Sequence, residues 1–209
     1  MTTNLSPFEF TQLASEQQIE KTVQALQAHG IQTVVFETGE EAQKYVLDLI
    51  PKGAAVYNGP SRTLEVLGLS EQFGHTHRFQ SVRAQLATLD HTTQRNEKRK
   101  LVAAPDVLVG SVHAITEQGE IMIASGTGSQ LGPAASGAGM VIWVVGTHKL
   151  VRTLEEGLRR IREHCLPLES ERSQQVYGVP SAINKLLIIN AEHMLGRITM
   201  VLVKQQLGF

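Results

Sequence analysis

The chain has 209 residues, 42% of them hydrophobic, with a net charge of -1 and one cysteine. That is enough apolar material for one sizeable core, and the intermixed charges remove the electrostatic case for nucleic acid or an anionic membrane as partner. Cys165 cannot form an intramolecular disulfide, the N-terminus is polar, and no segment approaches the roughly 20 apolar residues of a membrane span, so the expected setting is the cytoplasm and the expected partner a small molecule.

From Phe8 to His29 the apolar residues Ile19, Val23 and Leu26 recur at helical spacing, with Gly30 as a left-handed stop. Ile31 to Phe36 is a short β-branched run. Thr38 and Glu41 then form a capping box opening a helix that turns Ala42, Tyr45, Val46 and Leu49 inward, ended by Pro51 and Gly53. Ala54 to Tyr57 is a buried strand leading into Asn58-Gly59-Pro60-Ser61-Arg62-Thr63 and a brief helix closed by Gly68.

Phe79, Val82, Leu86 and Leu89 predict a longer helix whose distal end, Arg95 to Lys100, is charged on nearly every face and solvated. Val107 to Val109 is a strand, and Val112 to Thr116 with Glu120 to Ala124 a hairpin turning at Glu117-Gln118-Gly119. Val141 to Val145 is continuously apolar, as in a strand covered on both faces. Thr153 and Glu156 suggest a second capping box before a helix lined by Leu154, Leu158, Ile161 and Cys165. After an irregular polar stretch from Pro167 to Pro180 come strand candidates Leu186 to Ile189 and Ile198 to Val203. Strands alternating with amphipathic helices predict an α/β domain over residues 1–209: a mostly parallel sheet with helices on both faces, the hairpin as a local antiparallel element, and residues 1–30 as a helical segment packed on it.

Two segments are candidates for binding. Ser125-Gly126-Thr127-Gly128-Ser129-Gln130 lets backbone amides approach a ligand, with Ser, Thr and Gln groups for phosphate or carboxylate oxygens. It lacks a P-loop lysine and the dinucleotide fingerprint, and a tight connection is the alternative. Asn58, Gly59, Ser61, Arg62 and Thr63 stand where a helix opens at the carboxyl edge of a sheet, an anion site or an ordinary capped helix with a solvated Arg.

Glu117, on a Gly-containing tip, is a candidate nucleophile or acid/base group against a solvated turn residue. His113 is a candidate acid/base group against a hydrogen-bonded core histidine. His75 and His77 flank Thr76 at strand spacing but lack a companion Cys or carboxylate set, so no metal site is assigned. Cys165 is assigned to packing, and no cofactor is evident.

The ordered motifs Tyr57-Asn58-Gly59-Pro60-Ser61-Arg62-Thr63-Leu64, Ala104-Pro105-Asp106, Ala114-Ile115-Thr116-Glu117-Gln118-Gly119-Glu120, Gln130-Leu131-Gly132-Pro133 and Val144 to Val151 resemble those of the LUD (lactate-utilisation) domain proteins over nearly the whole chain. The resemblance implies a fold like that of the sugar-phosphate isomerase and coenzyme A transferase superfamily. It also implies a small anionic metabolite as ligand and a role in lactate or other organic-acid utilisation. As alternatives it implies a non-catalytic subunit or regulator of an iron-sulfur oxidoreductase, or an enzyme like the transferases or isomerases. Any Cys-ligated cluster would belong to a partner, for this chain has one cysteine. Glu117-Gln118-Gly119 resembles the turn carrying the nucleophilic glutamate of coenzyme A transferases, which work with a second related domain that a homo-oligomer would supply here. Near the C-terminus only Gly178-Val179-Pro180-Ser181 echoes the family pattern.

Overall fold

The computed structural model describes residues 10–75, 78–90 and 92–209. Its elements in chain order are α1 (Glu16–Ala28), β1 (Gln32–Phe36), α2 (Gly39–Leu49), β2 (Ala55–Asn58), α3 (Arg62–Val66), α4 (Leu69–His75), β3 (Gln80–Ser81), α5 (Val82–Thr88), α6 (Arg95–Ala103), β4 (Val107–Gly110), β5 (Ala114–Thr116), β6 (Ile121–Ser125), β7 (Met140–Gly146), β8 (Leu150–Val151), α7 (Leu154–Arg159), α8 (Leu166–Tyr177), β9 (Lys185–Ile189) and β10 (Ile198–Val203). Six strands form a wholly parallel sheet in the order β1-β10-β7-β4-β2-β3. The architecture is the expected α/β class.

Strand alternation splits the core into two layers. Val141, Trp143, Val145, Met200 and Leu202 face α1 and the β5–β6 hairpin, whereas Ile142, Val144, Val201 and Val203 face Ala42 and Val46 of α2, with Leu64, Leu69 and Phe73. Both faces are covered, which is why β7 and β10 are apolar throughout.

The hairpin is not an insertion in that sheet. It belongs to a second sheet of order β8-β5-β6-β9, in which β5 and β8 run parallel and β6 is antiparallel to both neighbours. Ile115, Ile121 and Ile123 turn toward the first sheet, and Ala114, Met122 and Ala124 toward Ile161 and Leu158 on the helix that follows. The chain passes between sheets four times, twice over short links: from β4 through Ser111, Val112 and His113 to β5, and from β7 through the 3₁₀ turn Thr147–Lys149 to β8, with returns from β6 to β7 and from β9 to β10.

Several boundaries differ from expectation for identifiable reasons. The first helix starts at Glu16, capped by Ser15, rather than at Phe8, which lies outside the described residues. The long helix predicted from Phe79 is two: Asp90 Oδ1 accepts the amides of Thr92 and Thr93 at 3.0 and 2.7 Å, an Asx-type turn that competes with helix between α5 and α6. Residues 167–177, expected to be irregular, are helical. Pro167 has no amide to donate, and a π-helical turn over Arg160–Cys165 absorbs the misfit, so the helix continues to Gly178 at φ 74°. His75 ends a helix instead of sitting on a strand, and Thr76 and His77 lie outside the described residues. The Thr38–Glu41 capping box is complete. At Thr153 only half forms, because Glu156 accepts from the amide of Arg152 instead.

Among the described residues no helix is long and apolar enough to cross a membrane. One tight constraint near the strand ends is Gly110, paired with Trp143 across β4 and β7, where a Cβ would stand 2.6 Å from the indole ring. The buried ring has little room to retreat. Gly110→Ala is expected to cost about 1–3 kcal/mol, read as a lower urea midpoint with an unchanged slope.

Candidate functional site

The carboxyl ends of β2, β4 and β7, the loop after β6 and helix α8 enclose a cavity of about 510 Å³. The two segments singled out in the sequence meet across it. Tyr57 Oη donates to Ser129 Oγ at 3.3 Å, and a Cβ on Gly59 would stand 3.7 Å from Gln130 Oε1. Gly59, Ser61, Arg62, Thr63, Ser125, Gly126, Thr127 and Gln130 line the cavity. Asn58 is buried and does not, its Nδ2 lacking a hydrogen-bond partner among the described residues.

Several of these groups are engaged locally. Ser61 Oγ caps the five-residue α3 by accepting the Leu64 amide at 3.4 Å, and Arg62 is exposed at the rim, ion-paired with Glu65 at 3.3 Å. Gly128, at φ 86°, donates its amide to Ser125 Oγ at 2.8 Å instead of lining the cavity, and Ser129 donates to Thr127 Oγ1 at 3.4 Å. The Gly-rich loop therefore uses part of its donor set to hold its own shape.

The group without a sequence expectation is Lys149. It follows β7, is 2% exposed, and donates to Thr63 Oγ1 at 2.9 Å and Ser111 Oγ at 3.2 Å on the cavity wall. Thr63 Oγ1 in turn donates to the Leu207 carbonyl at 3.0 Å. Behind it, Arg160 is fully buried on the π-helical turn, its Nη1 donating to the His113 carbonyl at 2.5 Å and to Cys165 Sγ at 2.8 Å. Among the described residues neither cation has a carboxylate partner. Burial first, then the Arg160 charge, pushes the Lys149 amine down to about 7.

His113 lines the cavity and accepts the Ala124 amide at Nδ1 at 3.2 Å, which puts its proton on Nε2. Burial, then Lys149 and Arg160, pushes it down to about 3. It is thus a hydrogen-bonded histidine that also faces the cavity. His164 is pushed down to about 4 by burial, then Arg160 and Lys149, and His148 lies far below its usual value for the same leading reason.

Glu117 is elsewhere. It lies on the wall of a separate pocket at the opposite end of the hairpin, paired with Lys21 at 2.7 Å. The five residues of β6, at about 3.3 Å each, separate that tip from Ser125. Gly119 gives no ligand access, since a Cβ there would meet His29 and the backbone of α1. The hairpin tip is a seam with α1. No group of three or more His, Cys, Asp or Glu among the described residues could hold a metal ion.

Lys149 had one sequence signal, Gly146-Thr147-His148-Lys149 at the end of a strand apolar throughout, but its burial beside Thr63 and Ser111 is purely tertiary. The histidine shifts give a pH response. Unfolded, each imidazole binds a proton near 6.5, whereas folded His113 and His164 do so only near 3 and 4. Between those values the unfolded chain holds more protons, so the imidazoles' contribution to stability is full above about 6.5 and falls toward 4. Thermal melts from about pH 6.5 to pH 4 should show that decline, and His113→Gln with His164→Gln should reduce its slope, the remainder belonging to His148.

The family model described as the LUD domain matches residues 19–208. A solved structure of a DUF162 family protein from Deinococcus radiodurans superimposes with a TM-score of 0.52 at 13% identity, covering 92% of this chain and 99% of that one, a likeness of fold. Comparison with the curated proteins finds no match. The family match runs from α1 to the last loop and takes in every residue placed above on the cavity wall, so the chain belongs to the LUD domain family.

Proposed function

We propose that this LUD domain protein binds a small anionic metabolite in the cavity between the Asn58–Thr63 turn and the Ser125–Gln130 loop, and that it serves the utilisation of lactate or another organic acid. The observation that carries the reading is Lys149, a buried amine whose partners are hydroxyls rather than a carboxylate. A cation removed from water without a counter-charge costs several kcal/mol, and a carboxylate or phosphate entering the cavity offsets that cost. Arg160 adds positive potential from behind, and Gln130 offers an amide from the facing wall. Arg62 at the rim steers the approaching anion and contributes little to its residence, as expected of an exposed charge. The volume suits a metabolite rather than a polymer.

Calorimetry with lactate, pyruvate, other organic acids, sugar phosphates and acyl-coenzyme A esters tests this. At least one should bind and raise the melting temperature. Lys149→Met should weaken it by about 10- to 100-fold, the worth of a charge-assisted hydrogen bond. Because the variant also removes a buried charge, it should melt no lower than wild type at pH 6, which separates lost binding from lost fold. Arg62→Ala should lower the association rate and its salt dependence, and Glu117→Gln should leave affinity unchanged. Binding indifferent to Lys149 would remove the cavity from consideration.

A further inference from the structure

We propose that Lys149 is a nucleophile that forms an imine with the carbonyl carbon of a small substrate carrying a carboxylate or phosphate, held in the cavity described above. The proposal rests on the reading of that cavity as an anion site and adds the chemistry performed there.

Three observations converge on it. Lys149 is the only cavity-wall lysine among the described residues that is buried. Nζ is held by two side chains from two other elements, Thr63 on the first turn of α3 and Ser111 after β4, so the amine is fixed in place instead of sweeping through solvent on a long stem. Arg160, which keeps its proton under all ordinary conditions, lies on the adjacent turn and makes a second positive charge unfavourable. A desolvated amine beside another cation is the environment in which lysine gives up its proton near neutrality and becomes a nucleophile. With its ordinary value brought down to about 7, a large share of Lys149 is the free amine at neutral pH.

The step balances without any oxidant or metal. The nitrogen lone pair bonds the carbonyl carbon, and the carbonyl π pair moves to oxygen, which takes up a proton. Nitrogen loses one proton, giving the carbinolamine. The carbon–oxygen bond then breaks with a second proton delivered to oxygen, water leaves, and an iminium remains on Lys149, so that overall one proton is consumed and one water released. The hydroxyls of Ser111 and Thr63, 3.2 and 2.9 Å from Nζ, stand where a proton can be relayed between nitrogen and oxygen. The substrate's anionic group neutralises the iminium, which a buried site with two cations otherwise opposes.

The test is reductive trapping on the full chain. The protein is incubated with cyanoborohydride and one of three probes: pyruvate, glyceraldehyde 3-phosphate, or acetone as the uncharged carbonyl. Peptide mass mapping then locates the reduced adduct. The expected result is modification of Lys149 by one or both anionic carbonyls at least about tenfold ahead of exposed lysines such as Lys44 and Lys52. The arm that labels identifies the anionic group. Acetone should label Lys149 no faster than the surface, and excess lactate, which has a carboxylate but no ketone or aldehyde, should protect it. Lysine-149-dependent binding of these anions by calorimetry, with no preferential adduct, overturns the imine and leaves the anion site standing. Neither binding nor adduct overturns both.

Discussion

A lysine ammonium removed from water is among the most costly groups a fold can bury, and here its cost is met by two hydroxyls alone. That arrangement fixes much of what surrounds it. Thr63 comes from the first turn of α3 after β2, Ser111 from the exit of β4, and Lys149 from the exit of β7, so one side chain draws together the carboxyl ends of three neighbouring parallel strands. The Leu207 carbonyl, which receives the Thr63 hydroxyl, adds the C-terminal segment to the same knot.

The charge environment explains why the surrounding titratable groups are neutral. With Arg160 and Lys149 both buried, an imidazole at His113, His148 or His164 cannot also carry a proton, and all three are held below their usual range, with burial the leading cause. The site is an electropositive floor lined with neutral donors. On the proposed reading, such a floor is set before an anion arrives instead of being assembled by it. The opposite wall is quieter, because Ser125 and Thr127 fold the Gly-rich loop onto its own amides and leave Gln130 as the more available polar group.

Local signals were legible in the sequence where local physics decides. The Thr38 box, the left-handed glycines at 30 and 68, and the hairpin turn all depend on residues within a few positions of one another. The two candidate segments could also be named, and they do meet around one cavity, because the first is the carboxyl end of a buried strand and the second follows the hairpin. What escaped was settled at longer range or by competition. Asp90 outbids helix for two amides although the apolar stripe runs past it. Pro167 is tolerated because a π-helical turn precedes it. Glu117 carries a recognisable tripeptide, yet the hairpin points that tip at α1, away from the cavity. Lys149 was visible as a letter in a motif, but nothing within ten residues of it reports that Thr63 and Ser111 will be its neighbours.

Two of the four crossings between sheets are only three residues long, Ser111 to His113 and Thr147 to Lys149. They deliver β5 and β8 side by side in a fixed parallel register, Ile115 opposite Leu150. Lengthening either by one residue would slide one strand past the other and exchange the side chains that face the two cores. Insertion and deletion are thus costly in this stretch, and replacement in place is costly only where a side chain also ties neighbouring elements together, as His113 does by accepting the Ala124 amide of β6. The scaffold thus leaves the exchange of one side chain for another at constant length as the milder edit along the floor of the cavity.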